Sequence, residues 1–150
     1  MAIEVEEDTI IARPRADVAA FMFDPRNDAE WTTGVVESRP KAKGLMKTGA
    51  RVQRTVEFAG RRIEFEYKVV AADSDSFVDM KVEEPFPMRI RYELEDSPKG
   101  TLVRIHASGD PGSFIRVAGP VLKLMAKRNI KSDLKALKKC VESAKPRRKK

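Results

Sequence analysis

Two stretches of sequence decide the fold: residues 88–109 read MRIRYELEDSPKGTLVRIHASG, and residues 119–143 read GPVLKLMAKRNIKSDLKALKKCVES. The first stretch alternates apolar and polar residues with a period of two, as do strands of a sheet with one face in water. The second stretch carries apolar residues at intervals of three and four, the period of an amphipathic helix. A long helix that follows a twisted sheet is expected to lie across it. The space between the two layers is then the predicted binding site.

Five strands are expected between Arg51 and Gly109, joined by short turns that contain glycine, proline or aspartate. Upstream of them the pattern predicts a first strand at Ile3–Ala12, short helices at Pro14–Phe23 and Pro25–Trp31, and a second strand at Val35–Arg39. The sequence therefore predicts an α+β fold. It has a seven-stranded antiparallel sheet, two short helices after the first strand and one long C-terminal helix.

The C-terminal helix is expected to bury one continuous apolar stripe against the sheet, formed by Leu122, Ala126, Ile130, Leu134, Leu137 and Val141. Lysine and arginine residues occupy most of the opposite side. Three apolar residues, Val117, Val121 and Leu124, nevertheless fall on this basic side. Two interpretations stay open: these residues pack under the loops between strands, or they form an apolar rim at the mouth of a cavity.

Arg54 has the inward parity of its apolar neighbours Val52 and Val56, although a buried unpaired charge would destabilise the fold strongly. The side chain can reach outward to solvent. It can also pair with an inward carboxylate, for which Glu7 is a candidate. A third interpretation is that Arg54 offers a fixed cation to the carboxylate or enolate of a ligand.

Residues suited to acid–base or metal chemistry are few in this sequence. His106, the only histidine, has the parity of the outer face of the sheet, where it is expected to meet solvent. Cys140, the only cysteine, lies near the chain end without a histidine partner. We therefore expect no catalytic residue, no metal site and no cofactor. Tyr67 and Tyr92 are inward by parity and can orient a polar group of a ligand.

The composition is that of a globular domain, since 41% of the 150 residues are hydrophobic and 35% are charged. No uncharged run exceeds six residues, whereas a membrane-spanning helix needs about 18–20 apolar residues. The acidic start of the chain, residues 1–8, predicts no signal peptide. A single cysteine cannot form an internal disulfide, which is typical of a reducing cytoplasm. The predicted location is therefore cytoplasmic.

Most of the net charge of +7 lies at the end of the chain, where residues 145–150 contain five basic residues and Pro146. Such a basic tail is typical of a disordered, solvated segment. A single domain is accordingly expected at residues 1–144. A second interpretation is weak contact with an anionic membrane through the C-terminal helix and the tail. No aromatic residue interrupts the tail, so specific nucleic-acid binding is not expected.

Five short motifs occur in order along nearly the whole chain: Ile10–Pro14, Asp24-Pro25 followed by Trp31, Glu84–Arg89, Gly100–Val103, and Gly119-Pro120 followed by Asp133–Lys138. Together they resemble the START-like polyketide cyclase/dehydrase superfamily, whose members have the Bet v 1-like helix-grip fold. Arg13 stands where that family usually has a proline.

The resemblance implies a sheet curved around the long C-terminal helix, with an apolar cavity between them for a lipid, polyketide or other hydrophobic ligand. It also implies that Trp31 lies near the cavity mouth, although a plain core position is equally open. Resemblance and inward parity together predict these ligand-binding residues: Trp31, Val52, Arg54, Val56, Phe65, Tyr67, Met80, Ile90, Tyr92, Val103, Ile105, Leu122, Ala126 and Ile130.

The leading hypothesis is a protein that binds or transports a hydrophobic or amphipathic small molecule without covalent chemistry. A minority of the family it resembles are cyclases or dehydratases. An enzyme of that kind would use Arg54, Tyr67 and Tyr92 electrostatically. A third hypothesis is a membrane-surface or partner-interaction protein. In that case the apolar residues on the basic side of the C-terminal helix would make the contact.

Overall fold

The computed structural model describes residues 2–41, 44–58, 60–112 and 119–143. Within these residues the predicted α+β fold is confirmed, with one antiparallel sheet of order β1-β7-β6-β5-β4-β3-β2. The strands are β1 (Ile3–Ile11), β2 (Val35–Pro40), β3 (Arg51–Phe58), β4 (Arg61–Asp73), β5 (Phe77–Val82), β6 (Met88–Ser97) and β7 (Gly100–Gly109). The helices are α1 (Arg15–Met22), α2 (Asp28–Trp31) and α3 (Gly119–Ser143), with a 3-10 turn at Pro25–Asn27 before α2.

The sheet order brings one set of strand ends together. Consecutive strands from β2 to β7 are neighbours, and β1 pairs with β7 in an unbroken antiparallel register from Ile3–Gly109 to Ile11–Thr101. The antiparallel ladder therefore places the starts of β1, β2, β4 and β6 at the same end of the sheet as the ends of β3, β5 and β7. This end is called the cavity end below.

α3 lies against the inner face of the sheet along its apolar stripe, as the spacing predicts. Five residues of the stripe are buried and Ala126 is partly buried. Inward residues of the central strands, such as Val78, Met80 and Val103, complete one hydrophobic core with them. Each fully buried aliphatic side chain of this size stabilises the fold by about 1.5–3 kcal/mol, so the stripe accounts for much of the docking of α3.

The C-terminal end of α3 is also held by polar contacts to the end of β1. Lys138 Nζ donates a hydrogen bond of 2.7 Å to the Ile10 carbonyl. The Ala12 amide donates one of 2.7 Å to Glu142 Oε2. Lys138 and Glu142 also pair with each other at 2.7 Å, one helical turn apart. This end of α3 is therefore fixed more firmly than apolar packing alone would fix it.

Two apolar residues on the basic side of α3 are exposed to solvent. Val121 is 50% exposed and Leu124 is 49% exposed, so the interpretation that they pack under loops is wrong. They point away from the core because the stripe already occupies the inward face of the helix. Val117 and the basic tail lie outside the described residues. In the described ranges, no helix has the length and apolar character needed to cross a membrane.

Candidate functional site

A cavity of about 220 Å³ lies between α3 and the cavity end of the sheet. Its wall is mainly aliphatic and aromatic and receives residues from most of the strands, from the start of α3 and from the segment after α2. Cavities that bind drug-sized ligands usually measure about 300–1,000 Å³. The space here is therefore smaller than the range usual for drug-sized ligands.

The cavity exists because the inward side chains differ in size along the helix axis. At the cavity end the wall contains the small residues Ala107, Gly109 and Ala126. Further along the same layer, Tyr67 and Met80 are fully buried and fill the space between helix and sheet. Close packing of large side chains leaves no room for a ligand there.

Six of the fourteen predicted ligand-binding residues lie in the cavity wall: Arg54, Val56, Phe65, Ile90, Leu122 and Ala126. The structure places the other eight in the packed core: Trp31, Val52, Tyr67, Met80, Tyr92, Val103, Ile105 and Ile130. Parity predicts the face of a residue correctly but does not give its depth, because the packed core and the cavity lie on the same inner face of the sheet. Ligand contact by the six lining residues stays a prediction.

Sequence reasoning missed several residues of the wall that lie near the ends of strands or in loops. They include Thr32, Thr33, Phe86, Met88, Ala107 and Pro111. Met88 and Ala107 carry the inward parity of their strands and were detectable by it. The threonines and Phe86 lie outside regular strands, where no period reports which side a residue faces.

Arg54 is buried and forms an ion pair with a buried carboxylate. Its Nε and Nη2 atoms lie 3.1 and 2.8 Å from Asp28 Oδ2, and Asp28 is fully buried. The prediction of an inward carboxylate partner is confirmed, but the partner is not Glu7. Glu7 instead lies 3.8 Å from Lys127 Nζ and 4.0 Å from Lys131 Nζ on α3. Asp28 escaped detection because α2 is too short to show a period.

Two hydroxyl groups converge on the same carboxylate oxygen. Tyr67 Oη and Ser38 Oγ lie 3.2 and 3.1 Å from Asp28 Oδ2. The Arg54 guanidinium carbon also lies 4.8 Å from the centre of the Tyr67 ring, a cation–π distance. With this many donors, the Oδ2 atom of Asp28 is well compensated for its burial.

Burial and neighbouring charges set the proton affinities in this cluster. Burial is the largest single influence on the pKa of Arg54 and acts to lower it, but the charge of Asp28 and the interactions with Tyr92 and Tyr67 together outweigh it, and the pKa rises well above the usual range. Burial raises the pKa of Tyr92 to about 12, although the Arg54 charge acts to lower it. The pKa of Tyr67 is raised well above the usual range, again chiefly by burial. Both phenols are therefore protonated at neutral pH.

A second carboxylate reaches the cluster from α3. Asp133 is 7% exposed, and its Oδ1 accepts a hydrogen bond from the Thr33 amide. Burial raises its pKa to about 6, although the hydrogen bonds from Thr33 and the charge of Arg54 act to lower it. Asp133 therefore ties the segment after α2, which lines the cavity, to the middle of α3.

Three buried polar atoms on the segment of α2 find no hydrogen-bond partner in the described part of the chain: Asp28 Oδ1, Trp31 Nε1 and Thr32 Oγ1. Trp31 is 2% exposed and its ring lies 5.5 Å from that of Tyr92. It is thus a core residue and not a residue of the cavity mouth. Thr32, by contrast, lines the cavity, with its hydroxyl oxygen buried.

The remaining titratable candidates lie away from the cavity. His106 is on the outer face, as predicted, and its Nε2 lies 2.7 Å from Glu4 Oε2. Across the described ranges, no three His, Cys, Asp or Glu side chains form a group that could hold a metal ion. The site is therefore an apolar cavity that adjoins a buried polar cluster.

Fold and site together define a helix-grip protein with an internal apolar cavity. The chain belongs to the family described as polyketide cyclase/dehydrase and lipid transport, whose model matches residues 2–142. No curated protein matches the chain significantly by sequence.

Solved structures show the same fold at low sequence identity. A START superfamily protein from Mycobacterium smegmatis is 18% identical, with a TM-score of 0.77 over 93% of this chain and 97% of that one. The Zhui aromatase/cyclase from a Streptomyces species is 16% identical, with a TM-score of 0.77 over 95% and 94%. Ara h 8.0201 is 15% identical, with a TM-score of 0.69 over 96% and 100%.

Proposed function

We propose that this protein binds a small hydrophobic or amphipathic molecule in the cavity and holds or carries it without covalent change. The observation that supports the proposal is an apolar cavity of about 220 Å³ between α3 and the sheet. Burial of an apolar ligand there gains roughly 25 cal/mol for each Å² removed from water. A cytoplasmic location is part of the proposal, because the single Cys140 cannot form an internal disulfide.

Binding is favoured over cyclase-type catalysis by the placement of the polar groups. Arg54 lines the cavity, but Tyr67 and Tyr92 lie in the packed core. The Tyr67 hydroxyl and the Arg54 guanidinium are both engaged by Asp28. A side chain that polarises the carbonyl of a substrate has to face that carbonyl. Tyrosines in the packed core do not meet this condition. The likeness to an aromatase/cyclase concerns the fold and supplies no catalytic group here.

The proposal is tested by binding of an uncharged apolar dye, N-phenylnaphthylamine, to the purified protein and to two matched variants. Ala126→Phe puts a ring into the cavity wall, whereas Leu124→Phe adds a ring on the exposed side of the same helix. We expect Ala126→Phe to weaken dye binding at least about tenfold and Leu124→Phe to leave it unchanged. Native mass spectrometry of the untreated protein should also show a co-purified small molecule.

Equal dye binding by the Ala126→Phe variant, confirmed as folded by circular dichroism, would contradict the proposal. The dye would then bind elsewhere on the surface. The absence of dye binding to the parent protein, together with no co-purified molecule, would have the same consequence.

A second candidate function is contact with an anionic membrane surface, favoured by the exposure of Val121 and Leu124 beside basic residues. Lys123, Lys127 and Arg128 of the same part of α3 are exposed as well. Each basic residue near an anionic surface contributes about 1 kcal/mol and is screened by salt. We expect weak, salt-sensitive co-sedimentation with vesicles that contain phosphatidylserine. It should decrease in Val121→Ser/Leu124→Ser and in a chain without residues 145–150. Equally negligible sedimentation of all three forms at low salt would remove this candidate.

A further inference from the structure

The polar part of the cavity wall that adjoins the core carries little uncompensated charge. Among the described residues that line the cavity, Arg54 is the only cation and Glu57 the only carboxylate. Glu57 is exposed and forms a surface ion pair with Arg62, with 3.6 Å between Glu57 Oε2 and Arg62 Nη2. The charge that a ligand meets next to the core is therefore that of Arg54.

The Arg54 charge is already balanced from behind. Asp28 accepts two hydrogen bonds from the guanidinium at 2.8 and 3.1 Å and is fully buried. Asp133 lies in the same cluster with a pKa of about 6 and is mainly ionised above neutrality. A ligand carboxylate placed here would be the third anion around one cation. Transfer of an anion from water into such a site is unfavourable, because no cation among the described lining residues is free to repay its desolvation.

Thr32 offers the opposite feature, a neutral hydrogen-bonding group that has no partner in the described part of the chain. Thr32 lines the cavity, and its Oγ1 is buried and has no hydrogen-bond partner among the described residues. A hydroxyl can both donate and accept. An oxygen of a ligand beside Thr32 would satisfy it, and a ligand without such an oxygen would leave it unsatisfied.

We propose that the cavity selects ligands whose polar group is an uncharged oxygen, a hydroxyl or a carbonyl that hydrogen-bonds to Thr32, and that the Arg54–Asp28 pair excludes carboxylates. This inference rests on the proposed binding function and adds the chemical class of the ligand to it. It replaces the interpretation of Arg54 as a fixed cation for an anionic group.

Three probes of one chain length separate the head groups: decan-1-ol, methyl decanoate and decanoic acid. Each is titrated against protein loaded with N-phenylnaphthylamine at a pH of about 7.5, where the free acid is ionised. We expect the alcohol and the ester to displace the dye at concentrations at least about tenfold lower than the acid. Equal or tighter binding of the acid would overturn the proposal.

Two isosteric or near-isosteric changes test the role of Thr32. Thr32→Val removes the hydroxyl and keeps the shape, and Thr32→Ser keeps the hydroxyl. The affinity of the alcohol is expected to fall about three- to tenfold in the valine variant and to stay close to the parent value in the serine variant. The affinity of each variant for the dye is measured separately, so that displacement gives the affinity of the alcohol itself. An unchanged affinity of the alcohol in Thr32→Val would remove Thr32 from the proposal and overturn it in this form.

Asp28→Asn tests the exclusion of anions. This variant leaves Arg54 uncompensated, so the preference for alcohol over acid should shrink at least about fivefold or reverse. An unchanged preference in folded Asp28→Asn protein would overturn the role of the ion pair. If this variant does not fold, the comparison of alcohol and acid in the parent protein still decides the question.

Dye binding distinguishes a failure of this inference from a failure of the proposed binding function. Loss of dye binding in Ala126→Phe together with equal binding of acid and alcohol would overturn only the present inference. Dye binding that is insensitive to Ala126→Phe would overturn the proposed function and, with it, the inference that rests on it.

Discussion

Arg54 and Asp28 show how a charged residue is accommodated on the inner face of a sheet. Strand parity forces Arg54 inward between Val52 and Val56, and Asp28 of α2 meets it at 2.8 Å. Desolvation of two charges is costly, and their attraction repays it when the remaining donors and acceptors are satisfied. Tyr67 and Ser38 provide that satisfaction at Asp28 Oδ2, whereas Asp28 Oδ1 has no partner among the described residues. The pair therefore fixes the position of α2 more than it adds net stability.

Removal of one partner of this pair should destabilise the protein strongly. Arg54→Met leaves a buried carboxylate without its cation, and such changes cost about 3–5 kcal/mol. The matched control is Arg39→Met, because Arg39 pairs with Glu37 at 2.7 Å on the surface. The control should lose less than about 1 kcal/mol. Urea denaturation of both variants gives the two free energies of unfolding. Equal losses in the two variants would show that leaving the buried carboxylate without its cation costs no more than breaking a surface pair.

Asp133 makes stability depend on pH in a predictable direction. Its pKa is raised from 3.8 to about 6 in the folded protein, mainly by burial. The folded state therefore binds this proton more tightly than the unfolded chain does. The stabilisation from protonation is complete below the unfolded pKa and is lost as the pH rises through about 6. At about 1.4 kcal/mol for each pKa unit, the full effect is at most about 3 kcal/mol.

Asp133→Asn should remove this dependence, because the amide oxygen can still accept from Thr33 but does not titrate. The free energy of unfolding of the variant relative to the parent is expected to increase from pH about 4 to pH about 7.5. Glu95→Gln, at an exposed carboxyl, serves as the control and should run parallel to the parent. If the free energy of unfolding of Asp133→Asn ran parallel to that of the parent over this pH range, the assignment of the pH dependence to Asp133 would be refuted.

At the scale of the elements, the turn between β6 and β7 depends on a single glycine. Gly100 has φ of +133°, and a side chain there would collide with the Ile11 carbonyl and approach Ala12 Cα at 2.9 Å. Gly100 thus lets β7 pass close to the end of β1. This explains why the segment Gly100–Val103 has a recognisable sequence.

Gly100→Ala is therefore expected to lower stability by more than about 2 kcal/mol, through steric overlap added to backbone strain. Gly60→Ala is the matched control, since Gly60 also has a positive φ, +77°, but a Cβ added there would meet no atom of the described residues within 4 Å. The control should show backbone strain alone, about 1–2 kcal/mol. Thermal unfolding of the two variants measures the difference, and a smaller loss for Gly100→Ala would disprove the close approach.

The elements were predictable because each has a period that reports its buried face. The stripe of α3 and the alternation of β3 to β7 fix which residues point inward, and the structure confirms them. Depth along the layer has no such signature. Ala126 and Ile130 belong to one stripe, yet Ala126 lines the cavity and Ile130 lies in the core. The difference depends on side-chain volumes contributed by several strands. Asp28 was missed because four residues of helix carry no period.

At the scale of the whole molecule, the layer between α3 and the sheet has two unlike halves. One half is filled by Tyr67, Met80 and their neighbours and is fastened to β1 through Lys138 and Glu142. The other half contains the cavity and the start of α3. Local opening occurs most easily where fewest apolar contacts are made. The cavity half should therefore be the less stable part of the free protein.

Hydrogen exchange along α3 tests this asymmetry and the binding function together. In the free protein, amides of residues 124–128 should exchange faster than those of residues 134–138, because the latter pack on the filled half. A ligand at about 100 times its Kd stabilises the form that binds it by about 2.7 kcal/mol. Since it fills the cavity, decan-1-ol should slow exchange in residues 124–128 and change residues 134–138 much less. In Ala126→Phe, residues 124–128 should already exchange slowly without ligand, and addition of decan-1-ol should cause no further change. Uniform exchange along α3, or protection by ligand in the C-terminal half, would mean that the cavity is not the place where the molecule opens to bind.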